Sequence, residues 1–122
     1  MIIGQTIFSV RRGTEHRAEA ALDEIRRRLA TAEGLRHSLI LRSIGMSPLA
    51  SDLSESERAS TLAHVHYVVH TEWESGAAHD QFYSSEGLRR AYATLSSVLT
   101  SGPFEVLYED LVSQREQSGV SI

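Results

Sequence analysis

AHVHYVVHTEWESGAAHDQFYSSEGLRRAY, residues 63–92, is the stretch whose reading decides the fold. Its first half alternates. Val65, Tyr67, Val69, Thr71 and Trp73 point one way; His64, His66, Val68, His70 and Glu72 point the other. The first set is apolar and aromatic and belongs against a core or a cavity. The second is rich in histidine. After Trp73, the only tryptophan, a short turn leads into two consecutive helical pieces, with Ser75 and Ser85 placed as N-caps and Ala78 and Phe82 facing inward.

Upstream, Ile2–Val10 alternates with apolar residues on both faces, as in a strand inside a sheet. Thr14 suits a helix N-cap, and Ala18, Ala21, Leu22, Ile25 and Leu29 form one helical stripe that Gly34 closes. Arg26, Arg27 and Arg28 lie beside Glu19, Asp23 and Glu24, as on a solvated face with i,i+3 and i,i+4 pairs. His16 belongs to the exposed side of that helix. Leu35–Ile44 reads as a second strand, with Leu35, His37, Leu39 and Leu41 on one face. Gly45–Leu62 is a long connection with a short helix expected near Asp52–Ala59, of the length at which loops tend to be functional. Downstream, Leu88, Ala91, Tyr92, Leu95, Val98 and Leu99 make a helical stripe that Gly102 and Pro103 break, and Phe104–Val112 is the last strand.

The element order is β-α-β-β-α-β, an α+β, ferredoxin-like split βαβ arrangement with helices on one sheet face. Residues 1–112 form a single domain and 113–122 a polar tail. The apolar residues on the opposite sheet face need a cover. A second copy of the chain is the simplest, giving a homodimer with two sheets packed face to face as a barrel.

Composition narrows the function classes. At 122 residues, with 41% hydrophobic and 23% charged residues, the chain is that of an ordinary globular domain. A formal charge of −4 argues against nucleic-acid binding. Cysteine is absent, which removes disulfides, thiolate metal sites and a cysteine nucleophile. No run suggests a membrane span and the first residues lack a secretory pattern, so the expected location is cytoplasmic.

Three motifs carry a family resemblance: Trp73-Glu-Ser, the helix start Ser85-x-x-x-Arg89-Arg90-x-Tyr92, and Gly102-Pro103-x-Glu105-x-x-x-Tyr108-Glu109. Together the chain resembles the antibiotic biosynthesis monooxygenase family, whose members are dimeric α+β barrels. The resemblance implies a cleft between sheet and helices lined by Thr6, Phe8, Tyr67, Val69, Trp73, Phe82 and Tyr92. Haem-degrading relatives have a histidine ligand where Tyr92 stands, a tryptophan at Phe82 and an asparagine near Thr6. All three are missing, which argues against haem degradation. Anthrone oxidases share the tryptophan at Trp73 but have an asparagine where this chain has Val69.

The implied reaction is cofactor-independent monooxygenation of an aromatic polyketide or quinol-like molecule by molecular oxygen, without flavin, haem or metal. Such chemistry needs a dry cavity and a base or donor for the substrate oxygen. Trp73, Tyr67, His79 and Tyr92 are the catalytic candidates. Thr6, Phe8, Val69, Phe82 and Arg89 are the substrate-binding ones, Arg89 for an acidic substituent at the rim. The plainer reading makes Trp73 and Tyr92 core residues and Arg89 and Arg90 surface partners of Glu86 or Glu109. A cyclase using His79 or a strand histidine fits the same fold, as does a non-enzymatic ligand-binding barrel. His64, His66 and His70 share a strand face with metal-ligand spacing, and His37 or the acids Asp52, Glu55 and Glu57 could join them. Without a defined third ligand, an interface or rim role is the better reading, and no metal is expected.

Overall fold

The computed structural model describes residues 1–45 and 63–112. The helix expected near Asp52–Ala59, the rest of the long connection and the tail lie outside the described residues. Seven elements follow in order: β1 (Ile2–Arg11), α1 (Glu15–Leu29), β2 (Leu35–Arg42), β3 (His64–Trp73), α2 (Gly76–Tyr83), α3 (Glu86–Ala93) and β4 (Leu99–Tyr108). The strands form one antiparallel sheet in the order β2-β3-β1-β4. This is the ferredoxin-like α+β arrangement, with the helical hairpin between β3 and β4 split into two short pieces.

The alternation of β3 is realised as read. Val65, Tyr67, Val69, Thr71 and Trp73 are all buried beneath the helices, while His64 and His66 are exposed. Register brings Phe8 opposite Tyr67 and Thr6 opposite Val69, so the two central strands present one continuous inner face. Against it pack Ala18, Ala21, Leu22, Ile25 and Leu29 of α1 and Leu88 and Ala91 of α3. The arginines of the last α1 turns pair with Asp23 and Glu24 one helical turn earlier.

Four local expectations are corrected. Helix α1 ends at Leu29 with Ala30 as its cap, and Gly34 (φ 79°) instead makes the turn into β2. Thr14 stands at the N-cap position, but its hydroxyl donates to the Arg11 carbonyl and caps no helical N–H. A register shift between Leu35 and His37 turns Leu35 inward and His37, Leu39 and Leu41 outward, so these four do not share a face. Helix α3 stops at Ala93, and β4 begins at Leu99 and ends at Tyr108, well before Val112. Two consecutive turns carry Leu95 and Val98 into the core, which is why the stripe looked helical beyond the helix.

The outer sheet face is open. Leu39, Leu41, Phe104, Val106 and Tyr108 are exposed there. The histidines are tied into the same face: His66 Nδ1 meets Ser9 Oγ at 2.6 Å, and Gln5 Nε2 donates to His70 Nδ1 at 3.1 Å. That leaves His70 Nε2–H to donate to Glu72 at 2.9 Å. The His37 ring stands edge-on to His70 at 6.5 Å.

Candidate functional site

Between β1, β4, α3 and the end of α2 lies a mainly apolar cavity of about 300 Å³. Thr6 comes from β1, Tyr83 from the end of α2, Leu88, Arg89 and Tyr92 from α3, and Pro103, Phe104 and Glu105 from β4. Sequence places these groups by simple means. Thr6 is on the inward register of β1, and its partner on β4 is Glu105, which therefore also points inward. Ser75 caps α2 by accepting the Ala78 N–H at 3.2 Å, fixing the helix that carries His79 and Tyr83. Tyr92 follows Leu88 and Arg89 at i+4 and i+3 on α3.

A polar cluster sits behind this cavity in an otherwise apolar core. The Tyr83 hydroxyl is 3.2 Å from Thr6 Oγ1. His79, only 5% exposed, holds Glu105 Oε1 at 2.7 Å through Nε2 and Asp80 Oδ1 at 2.9 Å through Nδ1. Its ring stacks on Tyr83 at 4.6 Å and meets Trp73 edge-on at 6.0 Å. Trp73 is fully buried; its Nε1–H donates to Thr71 Oγ1 at 2.8 Å, and Thr71 in turn donates to the Gly4 carbonyl. Two atoms in this neighbourhood have no hydrogen-bond partner although both are buried: the Tyr92 hydroxyl and Glu105 Oε2. Buried polar groups are normally paired, so each calls for an explanation.

Burial sets the protonation of the tyrosines. It pushes Tyr83 up to about 12, and it drives Tyr92 higher still, with the neighbouring Tyr83 adding to the rise. Tyr67 is also pushed up to about 12, by burial first and then by its hydrogen bond to Glu19. At pH 7 a group titrating near 12 is ionised in about one molecule in 10⁵. All three are therefore donors at neutral pH and not bases.

The residues expected from the sequence divide. Thr6, Arg89 and Tyr92 line the cavity. Phe8 and Val69 are wholly buried in the core, and Trp73 lies behind Tyr83. Phe82 packs on Trp73 at 5.2 Å and borders a different hollow, near Arg28 and Gln81. Tyr67 stacks on Phe8, and its hydroxyl donates to Glu19 at 3.0 Å in a separate recess with Ile40 and Arg42. His79 does not line the cavity and touches it through Glu105 and Tyr83. Tyr83 was not singled out from the sequence, and Glu105 only as part of the Gly102-Pro103-x-Glu105 motif, with no site role. Gly4 was the available signal for Glu105: a residue without a side chain on the inward register leaves room, and the Glu105 carboxylate occupies it. Among the described residues, no group of three or more histidines and acids could hold a metal ion. Nor is any helix there long and apolar enough to cross a membrane.

Solved structures share this architecture. A candidate antibiotic biosynthesis monooxygenase from Nitrosomonas europaea matches with a TM-score of 0.67 at 13% identity, over 92% of this chain and 100% of that one. The fold is that of the antibiotic biosynthesis monooxygenases. SnoaB from Streptomyces nogalater, a cofactor-independent oxygenase, matches in a single-residue variant with a TM-score of 0.63 at 12% identity, over 93% of this chain and 97% of that one. A Nitrosomonas europaea protein of unknown function matches with a TM-score of 0.64 at 12% identity, over 92% and 90%. Identities this low speak for the fold and not for the chemistry. No protein-family model matches the chain, nor does any curated protein.

Proposed function

We propose that the chain is a cofactor-independent monooxygenase acting on an aromatic polyketide or quinol-like small molecule in the cavity lined by Thr6, Tyr83, Tyr92 and Glu105. The observation that carries this reading is the unpaired Tyr92 hydroxyl beside a largely apolar cavity. A planar aromatic ligand with a phenol or enol oxygen gives that hydroxyl an acceptor and buries its rings against Leu88 and Pro103. The cofactor-independent chemistry of SnoaB on the same fold supports the assignment.

The reaction balances without a cofactor. An activated methylene, such as that of an anthrone, loses a proton and becomes a resonance-stabilised carbanion. That carbanion reduces dioxygen and combines with it. The hydroperoxide loses water to leave a ketone, so one oxygen atom enters the product and the other leaves as water. The protein supplies a hydrogen-bond donor at the substrate oxygen, a proton acceptor and exclusion of water. In this reading Tyr92, kept protonated at neutral pH by burial, is that donor. Oxygen uptake by EDTA-treated protein with a panel of anthrones and hydroquinones tests the reading. Uptake matched by ketone formation is expected, and no uptake with any compound that binds would rule it out.

The same proposal includes a homodimer. Five large apolar or aromatic residues, 37% to 51% exposed, spread across the sheet face opposite the helices. An apolar face of that extent marks an association surface, and a self-complementary sheet-on-sheet contact covers it with two-fold symmetry.

A further inference from the structure

We infer that the ligand of the cavity is an aromatic acid, whose carboxylate binds Arg89 at the rim while its rings enter the apolar space behind. The inference rests on the cavity being the ligand site of the proposed oxygenase and adds the charge of what it takes. Arg89 belongs to the wall that α3 contributes, three residues before Tyr92 and so on the same helical face. It is exposed, whereas Leu88 beside it is buried. The guanidinium is therefore offered where the apolar interior meets water.

That guanidinium is unspent. Among the described residues, neither Glu86 nor Glu109 nor any other acid forms an ion pair with it. Glu86 precedes it by three residues, the spacing at which Asp23 pairs with Arg26 at 3.0 Å on α1. Arg26, Arg27 and Arg42 each hold a carboxylate. With 16 acidic residues against 12 arginines and lysines, the chain does not lack acids to pair. An unpaired arginine on an open surface is simply hydrated. This one borders a mainly apolar cavity, where a ligand displaces part of that water and must replace its hydrogen bonds.

The charges of the wall also set a direction. Its other ionised side chain is Glu105, 18% exposed and held by His79 at 2.7 Å. Glu105 repels a carboxylate and Arg89 attracts one, so an acid enters with its apolar end first and its charge left at the rim. The guanidinium fork matches the two carboxylate oxygens and stays charged at any pH of interest.

Fluorescence titration with 6-hydroxy-2-naphthoate and with its uncharged carboxamide tests the inference on the full-length chain. The two probes share rings and phenol and differ in charge, and neither has an activated methylene to oxidise. At low salt the acid should bind about tenfold more tightly than the amide, and the ratio should shrink as salt is added. Arg89→Gln should bind the two alike. Arg89→Lys, a point charge without the fork, should keep part of the preference. Arg90→Gln makes the same change in net charge away from the cavity wall and should keep all of it. No binding of either probe, an amide bound as tightly as the acid, a preference that survives Arg89→Gln, or one lost equally in Arg90→Gln would overturn the inference. An Arg89-dependent preference with no oxygen uptake on any anthrone would remove the oxygenase reading and leave the acid site. Oxygen uptake on anthrone by a protein that shows no preference would do the reverse.

Discussion

Gly4→Ala is expected to destabilise the protein by breaking an interaction that Gly4 does not itself make. A Cβ at position 4 would fall on Glu105 Oε2, 3.3 Å from Glu105 Cδ and 3.2 Å from Thr71 Oγ1. Thr71 is fixed by its bonds to Trp73 and to the Gly4 carbonyl, so the carboxylate must give way. Its retreat forfeits the 2.7 Å contact with His79. A hydrogen bond to a charged group contributes about 1.5–3 kcal/mol, and replacing glycine by alanine within a strand returns roughly 0.5–1 kcal/mol of backbone entropy. The net cost is about 0.5–2.5 kcal/mol. In a Glu105→Ala background both the collision and the hydrogen bond are absent, and only the backbone gain remains. The same substitution should then be neutral or stabilising by up to about 1 kcal/mol, so the two sites couple by roughly 1–3 kcal/mol. Urea unfolding followed by the fluorescence of Trp73, the only tryptophan, measures all four proteins of the cycle. Equal destabilisation by Gly4→Ala in both backgrounds would refute the packing of Glu105 against Gly4.

Tyr92→Phe removes a buried hydroxyl that has no partner. Thermal unfolding should show unchanged stability or a gain of about 1 kcal/mol, while affinity for a phenolic ligand falls about tenfold. Tyr67, Tyr83 and Tyr92 have folded pKa values raised above the ordinary phenol value, chiefly by burial. Their stabilising contribution is complete below pH 10 and is lost as pH rises through about 12. Alkaline unfolding curves should therefore steepen above pH 10, and Tyr83→Phe should flatten them. Leu41→Asp or Val106→Asp, each on the outer sheet face, should convert a species of twice the chain mass into monomers in sedimentation, with helical content kept. A wild-type monomer would remove the dimer from the account.

Much of the fold was legible because β3 states it in a period of two. Five inward residues from Val65 to Trp73 are buried, and that alternation alone orients the sheet against its helices. Where periodicity is broken, reading failed for definable reasons. One register shift at β2 separates Leu35 from His37, and no residue type announces it. Leu95 and Val98 continue the α3 stripe through turns, because a turn and a helix can deliver the same residues to the same core.

The site was partly legible for similar reasons. Thr6, Arg89 and Tyr92 line the cavity; the family resemblance implied Thr6 and Tyr92, and Arg89 was expected at the rim. Glu105 was noted only within a motif and given no inward role, because an acid on a terminal strand is ordinarily at the surface. Its inward position depends on register with Thr6 and on the absence of a side chain at Gly4, which is a long-range coincidence. Tyr83 was hidden because α2 is a single short helix of weak stripe, whose buried residue is His79.

Incorporation of isotope from ¹⁸O₂ during oxidation of an anthrone by metal-free protein measures the central claim most directly. Mass spectrometry of the ketone should show one labelled oxygen atom per molecule, and labelled ketone should form more slowly in Tyr92→Phe. Ketone formed without label, or labelled ketone formed equally fast by Tyr92→Phe, would contradict the account.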